Sequence, residues 1–195
     1  MMKNLKYISI SIFILLVACT DNKTSKSEIT LYGKKLKRPH EMLKRFIPVA
    51  EHFDYPLGYP DFECYHDAKP FGVNGHLGAD FNGIEGGDSD LGDTIKSIGN
   101  GVVTYSDGCL LNIMHRTIDK KHFIITSIYY HCDTLFVSEN EIVKGGQVIA
   151  LLGKKDTQVA HLHFEIATDT NMVGGFYGAD TTGFMNPMTF IKTHR

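Results

Sequence analysis

Short apolar runs separated by glycines and polar turns recur along the chain from Pro56 to its end. The runs are rich in Val, Ile, Tyr and Phe, which favour extended backbone. They predict strands at residues 101–106, 110–115, 122–131, 147–153 and 161–167. Helical spacing is confined to a segment near His40 and to the C-terminal stretch NPMTFIK. The pattern therefore predicts a mainly antiparallel β domain with short peripheral helices.

The first 18 residues have the pattern of an export signal rather than of a folded element. Lys3 and Lys6 precede an apolar run from Tyr7 to Ala18, which is too short to span a bilayer as a mature helix. The run ends in LVAC, which resembles a bacterial lipobox, whose cysteine becomes the lipid-modified first residue. We therefore expect a lipoprotein signal peptide at residues 1–18 and a lipid anchor at Cys19. An ordinary signal peptide with a chance cysteine is the alternative.

Residues 19–60 lead from the anchor to the main domain. The stretch TDNKTSKSE has the composition of a tether, so residues 19–35 are expected to form a flexible linker. The segment HEMLKRFIPVAEHF places apolar residues 42, 43, 46 and 47 at helical spacing, and Pro48 should end or kink that helix. We predict a short helical pre-segment at residues 36–60, followed by the main domain at residues 61–195.

Composition and charge narrow the classes of function. The chain has 195 residues, 43% of them hydrophobic, which is enough for a packed core. Its formal net charge of -2, with scattered Lys and Arg, offers no basic surface for a phosphate backbone, so nucleic acid is not an expected partner. Besides Cys19, the cysteines are Cys64, Cys109 and Cys132, an odd number that allows one disulfide without selecting the pair. No C-x-x-C spacing occurs, which disfavours cysteine ligands for zinc.

Motifs of several other enzyme classes are incomplete or missing. Lys44 stands where the H-E-x-x-H motif needs its second histidine, G-x-S-x-G does not occur, and GGQVIALLGKK lacks P-loop spacing. The loop GIEGGDSDLGD lacks the spacing and distal glutamate of a calcium loop, so we interpret its aspartates as part of a surface loop. Serine hydrolase and nucleotide-binding functions are thereby disfavoured.

The segment VAHLHFEIA combines a strand pattern with two histidines. Because side chains alternate along a strand, His161, His163 and Glu165 share one face, opposite an apolar face. Two histidines with Cα atoms roughly 6.6 Å apart can both reach one metal ion. Equally, one can bind the metal while the other contacts what the metal binds, or both can belong to an exposed polar face. Spacing alone leaves these possibilities open.

Two further clusters precede this strand. In NGHLGADFNG, His76 and Asp80 would lie about 13 Å apart on a straight strand, too far to share one zinc ion. The glycines argue against a helix, so we predict an extended segment that bends near Gly78. In YYHCD, His131 closes a β-rich run and Asp133 follows on the same face.

Taken together, H-x-x-x-D, then Tyr-x-His, then H-L-H-F-E on a β domain resemble the LytM/lysostaphin-type zinc metallopeptidases. The resemblance runs from about Gly72 to Ile166 and includes GHLGAD, GVV, YYH, VKGGQVIALLG and HLHFE in the family's order. It implies an antiparallel β-sheet/barrel-sandwich hybrid of the lysostaphin type. It also implies one Zn²⁺ per domain, held by His76, Asp80 and His163, with His131 and His161 as the catalytic histidines that do not bind the metal.

The resemblance implies an exported zinc metalloendopeptidase that hydrolyses stem or cross-bridge peptides of peptidoglycan. Both a D,D cross-link and a glycine-containing bridge are compatible with the sequence. With the lipobox, we expect attachment to the outer membrane, facing the periplasm. A catalytically silent regulator of other cell-wall hydrolases and a cupin-like metal-binding module are the alternatives.

Two details concern the surroundings of this site. Glu165 and Asp133 are candidates to orient imidazoles by hydrogen bonding. The turn before H-x-H contains only Gly153, whereas the family commonly has a glycine-rich turn there. The family also often shows a glycine and asparagine stretch before the strand occupied here by CLLNIMH. Both departures bear on substrate preference rather than on metal binding.

Overall fold

A computed structural model of the chain describes residues 29–31, 34–36, 47–118, 124–168, 178 and 181–195. The chain divides into two compact units, Met1–Pro39 and His40–Arg195. In the first unit, β1 (Ile29–Leu31) pairs antiparallel with β2 (Lys34–Leu36). The predicted signal peptide, Cys19 and the part of the predicted helix before Ile47 lie outside the described residues. Within the described ranges, no helix is long and apolar enough to cross a membrane.

The second unit is built from short strands. They are β3 (Val49–Ala50), β4 (Tyr65–Lys69), β5 (Ala79–Gly83), β6 (Thr94–Lys96), β7 (Gly101–Asp107), β8 (Leu110–Thr117), β9 (Ile124–Tyr130), β10 (Cys132–Leu135), β11 (Ile142–Val143), β12 (Val148–Leu152), β13 (Leu162–Ala167) and β14 (Phe184–Met185). A 3₁₀ turn spans Val73–Gly75, and α1 spans Pro187–His194. The five predicted strands are confirmed as β7, β8, β9, β12 and β13, and the C-terminal helix is confirmed as α1.

The described strands of the second unit form two sheets. The larger has the strand order β11-β7-β8-β9-β13-β5-β4, with β14 on β13 and β3 on β8, and the smaller has the order β10-β12-β6. Every ladder is antiparallel except the pairing of β3 with β8. The prediction of a mainly antiparallel β fold is confirmed, and the sheets are sandwich-like rather than closed into a barrel.

Strand β13 lies at the centre of this fold. Leu162, Phe164 and Ile166 alternate along it and are fully buried, and the Phe164 ring meets those of Tyr129 and Phe81 at 5.1 and 5.7 Å between centroids. Each large apolar side chain contributes roughly 1.5–3 kcal/mol to folding by leaving water. This packing holds β13 in place, so the polar side chains on its opposite face project from a rigid strand.

Residues 47–60 differ from the predicted helical pre-segment. They contain β3, which pairs in parallel with β8, and turns, but no helix. Ala50, Phe53, Tyr55 and Leu57 are buried in the same core as the central strands. The apolar residues at helical spacing lie mostly before Ile47, outside the described residues, so the helix that should end at Pro48 stays a prediction. The boundary predicted at residue 60 does not separate two cores.

The C-terminal helix α1 returns to this segment. Asn186 caps the helix by accepting a hydrogen bond from the Thr189 amide at 3.1 Å. The Phe53 amide donates to the His194 carbonyl at 2.9 Å. The Arg195 guanidinium pairs with Asp54 at 3.3 Å and with Asp61 at 2.6 Å. The first described segment of the second unit and its C-terminal helix are thus joined directly.

Candidate metal centre

Strand register brings the three histidine clusters to one end of the large sheet. On one side of β13, His163 lies opposite Asp80 of β5; on the other side it lies opposite Tyr130 of β9. His131 follows Tyr130 directly, and His161 immediately precedes β13. Segments far apart in sequence therefore place their polar side chains around one point.

His76 reaches this point through a bend in the chain. It follows the 3₁₀ turn, and bends at Leu77 and Gly78 separate it from β5. A Cβ atom at position 78 would lie 2.4 Å from the Phe164 carbonyl oxygen, so only glycine permits this approach of the chain to β13. The predicted bend near Gly78 is confirmed. It brings the His76 Nε2 atom to 3.1 Å from the Asp80 Oδ1 atom. On a straight strand, the Cα atoms of the two residues would be about 13 Å apart and their side chains could not meet.

Three ligand atoms converge at this place. The His163 Nδ1 atom lies 2.8 Å from Asp80 Oδ1 and 2.9 Å from His76 Nε2, which completes a small triangle. Ligand atoms bound tetrahedrally to zinc lie roughly 3.3 Å apart, so the triangle needs only a slight expansion to hold the ion. Two imidazole nitrogens and one carboxylate oxygen are also a donor set that zinc prefers. The three side chains, of which His76 and His163 are buried, thus fit a metal ion.

The charges around the triangle favour a cation. Burial tends to raise the pKa of Asp80, but hydrogen bonds with His163 and His76 outweigh it and hold that pKa well below its usual range. Burial tends to lower the pKa of His163, but hydrogen bonds with Asp80 and Glu165 raise it. Without a metal, a proton on His163 offsets the negative charge of the carboxylates. A divalent ion that displaces this proton would take over that role.

Glu165 supports His163 from behind. The His163 Nε2 atom lies 2.9 Å from Glu165 Oε1, so Nδ1, the nitrogen on the other side of the ring, faces Asp80 and His76. The Glu165 side chain is fully buried. A carboxylate in this position fixes the ring orientation and raises the basicity of the ligating nitrogen. The prediction that Glu165 orients an imidazole is confirmed.

His131 and His161 lie beside the triangle with their rings 4.6 Å apart. Their Nδ1 atoms lie 2.6 Å from the Lys155 carbonyl oxygen and 2.9 Å from the Val159 carbonyl oxygen. Because a carbonyl only accepts, each Nδ1 carries the proton, and each Nε2 of a neutral ring carries a lone pair. The Nε2 atom of His161 lies 3.8 Å from Asp80 Oδ1.

Burial lowers the pKa of His131 to about 4, so its ring is neutral near pH 7. The suggestion that Asp133 orients this ring is wrong, because the Lys155 carbonyl takes the place next to Nδ1. Asp133 is exposed and accepts a hydrogen bond from Thr134. The backbone of His131 is left-handed, with φ of 68°, which turns the chain at the end of β9.

The structure also contains site neighbours that sequence reasoning missed. Asp88, interpreted from the sequence as part of a surface loop, bonds to Lys154 and to the amide of Ala160, next to His161. Asp156 accepts a hydrogen bond from the Tyr130 hydroxyl at 2.9 Å. These contacts join residues 26 to 72 positions apart, and no local pattern signals them.

The possible disulfide is not formed: Cys64, Cys109 and Cys132 are free thiols. Cys132 is buried in the core, whereas Cys64 is exposed.

Comparison with known proteins identifies a family and a fold that this chain resembles. The sequence profile of Peptidase family M23 matches residues 74–174. Lipoprotein NlpD of Yersinia enterocolitica is 40% identical over 75 residues, which are 38% of this chain and 77% of that protein. Murein hydrolase activator NlpD of Escherichia coli (strain K12) is 35% identical over 92 residues, or 44% of this chain, and the match spans only 24% of that longer protein. The solution structure of lysostaphin has a similar fold, with a TM-score of 0.50 and 23% identity over 73% of this chain and 54% of that one.

Proposed function

We propose, because the chain belongs to Peptidase family M23, that it is an exported zinc metalloendopeptidase that hydrolyses peptide cross-links of bacterial peptidoglycan. The observation that carries the proposal is the triangle of His76 Nε2, Asp80 Oδ1 and His163 Nδ1 with two further histidines beside it. All five residues lie within the stretch that matches the family.

In this proposal His76, Asp80 and His163 hold the ion, and Glu165 orients His163. A bound zinc ion supplies a Lewis acid that lowers the pKa of water toward about 7 and polarises the amide carbonyl. Three protein ligands leave a coordination position for water, as catalytic zinc sites require. The described side chains therefore provide a catalytic rather than a closed structural site.

His131 and His161 supply the acid–base chemistry. Each ring holds a proton at Nδ1, fixed by a main-chain carbonyl, and offers Nε2 for a proton from the attacking water. Once protonated, the same Nε2–H stabilises the oxyanion or passes the proton to the leaving amine. Since burial lowers the pKa of His131 to about 4, this ring is neutral at pH 7 and its Nε2 atom carries a lone pair.

The substrate and the location rest on the relatives and on the N-terminal pattern. The names of the matched proteins refer to murein hydrolase activation and to lipoproteins. We propose that residues 1–18 direct export, that lipidated Cys19 attaches the protein to an envelope membrane, and that residues 19–35 act as the tether. The domain would then meet peptidoglycan from a membrane-bound position.

A second function is an activator that has no hydrolytic activity of its own. The name of the Escherichia coli relative, murein hydrolase activator NlpD, favours it. A complete ligand triangle with two further histidines beside it would be unnecessary for such a role, so we favour hydrolysis.

The test is mass spectrometry of purified cell-wall fragments incubated with the zinc-loaded full-length protein. We expect cross-linked fragments to be converted to uncross-linked peptides by the wild type, with the rate reduced at least about 1,000-fold by His163→Ala. The exposed variant His52→Ala is the control. Intact cross-links with wild-type protein, or equal cleavage by His163→Ala, would overturn the proposal. Cleavage that appears only when a second wall hydrolase is added would favour the activator.

A further inference from the structure

The loop of residues 154–160, which leads from β12 toward His161, contains no glycine but is fastened by side chains from other segments. Asp88 holds both of its ends. The Asp88 Oδ2 atom accepts from Lys154 Nζ at 2.5 Å, and its Oδ1 atom accepts from the Ala160 amide at 2.8 Å. In the middle, Asp156 has a left-handed backbone, with φ of 63°, and accepts from the Tyr130 hydroxyl at 2.9 Å.

The same loop supplies the two carbonyl groups that orient the histidines beside the metal centre. Lys155 accepts from His131 Nδ1, and Val159 accepts from His161 Nδ1. The loop also continues directly into His161 after Ala160. A shift of the loop would therefore turn both rings, although Asp88 is hydrogen-bonded to the loop and not to the rings themselves.

We propose that Asp88 is a positioning residue, whose single carboxylate fixes the loop 154–160 and thereby the tautomer and orientation of the His131 and His161 rings. This inference rests on the proposed catalytic role of the two histidines. The loop before H-x-H is polar, and Gly153 is the one glycine beside it. Hydrogen bonds of the Asp88 and Asp156 side chains hold this loop in place.

The two bonds of Asp88 differ in weight. The Lys154 and Asp88 side chains are each 42% exposed, and an exposed ion pair fixes little because water screens it. The bond to the Ala160 amide is partly buried and joins a charged acceptor to the main chain next to His161. We therefore place the effect mainly in the bond to Ala160.

The experiment compares Asp88→Ala, Asp88→Asn and Lys154→Met in the zinc-loaded full-length protein. Asp88→Ala is expected to lower kcat for wall fragments about 10- to 100-fold, because misplaced reacting groups lose that much. KM and zinc affinity are expected to change less than about twofold, since the ligand triangle is untouched. Asp88→Asn keeps an acceptor for the Ala160 amide and should restore most of the activity, and Lys154→Met should behave like the wild type.

Two readouts do not depend on activity. Hydrogen exchange of the Ala160 amide should be at least about tenfold faster in Asp88→Ala. Imidazole ¹H–¹⁵N spectra should show fixed Nδ1–H tautomers for His131 and His161 in the wild type and mixed tautomers in Asp88→Ala. Glu85→Gln, in the same loop as Asp88, is the matched control and should match the wild type in every readout.

Unchanged kcat in Asp88→Ala would overturn the inference, as would a loss of zinc affinity equal to the loss of kcat. An equal loss in Glu85→Gln would also overturn it, because the effect would then belong to the loop in general. If the wild type has no hydrolytic activity, the proposed function is wrong, and the tautomers of His131 and His161 test the positioning role by themselves. Mixed tautomers in Asp88→Ala would then support the positioning role, and fixed tautomers would overturn it.

Discussion

The partner of one ring nitrogen decides what the other nitrogen can do in each histidine of the site. His163 turns Nε2 to the Glu165 carboxylate and leaves Nδ1 to the ligand triangle. The Nδ1 atoms of His131 and His161 face main-chain carbonyls, so the Nε2 atom of each ring is turned to the other side. The Glu165 carboxylate raises the basicity of the His163 ring, which suits a metal ligand, whereas the carbonyl bonds of His131 and His161 direct their Nε2 atoms to proton transfer in the proposed reaction.

Glu165→Gln tests this assignment at the level of one residue. The substitution keeps the shape of the side chain but removes the charge behind His163, so zinc affinity should fall about 10- to 100-fold. The measurement is a competition titration with a zinc chelator. Glu139→Gln, which changes an exposed glutamate, is the control. A zinc affinity within about twofold of the wild type would show that Glu165 does not tune the ligand.

His115 provides a pH-dependent prediction away from the metal centre. It is fully buried between the Asn100 carbonyl and the Ser127 hydroxyl, and burial lowers its pKa to about 4. The unfolded chain, with a histidine pKa near 6.5, therefore binds this proton first as pH falls. The stabilising contribution of the neutral ring is full above about pH 6.5 and is lost between there and about pH 4, by an amount on the order of 3 kcal/mol.

Urea unfolding at pH 7 and at pH 4.5 measures this contribution. His115→Gln should lose less free energy of unfolding between the two pH values than the wild type does. His52→Gln, on the surface, should retain the wild-type difference. Equal pH dependence in wild type and His115→Gln would contradict the assignment.

At the level of elements, the approach of the segment 76–80 to β13 determines the site. Asp80 is placed by strand register, whereas His76 is placed by the bend that follows the 3₁₀ turn. The bend is possible because Gly78 has no Cβ atom to meet the Phe164 carbonyl and the Glu165 side chain. The proposed metal binding and the packing of β13 thus depend on the same close contact.

Gly78→Ala should therefore damage both properties. Its Cβ atom would lie 2.4 Å from a main-chain oxygen of the central strand, which cannot move without disturbing the core. We expect a loss of roughly 2 kcal/mol in unfolding free energy, as for other overpacked sites. Zinc affinity should also fall at least about tenfold because His76 leaves the triangle.

The control is Gly86→Ala, where a Cβ atom meets nothing within 4 Å but the backbone has φ of 69°. It should cost about 1 kcal/mol of stability through backbone strain alone and leave zinc affinity unchanged. The measurements are urea unfolding and zinc titration for both variants. Equal zinc affinity in Gly78→Ala and wild type would rule out the bend as the determinant of the ligand set.

For the molecule as a whole, the sequence predicted those features that depend on residues close together in the chain. Alternation along β13 and the bend at Gly78 could be inferred because periodicity and ligand reach constrain them. The short edge strand β4, with the polar sequence YHDAK, has no such signal, and residues 49–50 form a strand only because β8 offers a partner. The Lys155 carbonyl and Asp88 could not be predicted, since any residue supplies a carbonyl and the contacts of Asp88 are set by tertiary structure.

The junction between Phe53 and His194 has an architectural consequence. Because the segment from Phe53 to Asp61 contacts the C-terminal helix, the chain enters the described part of the domain close to the place where it leaves it, a geometry that tolerates insertion between other sequences. A domain of this kind can be joined to different sequences. The match of 92 residues of this chain to 24% of the Escherichia coli relative shows that a similar stretch also occurs within a longer protein.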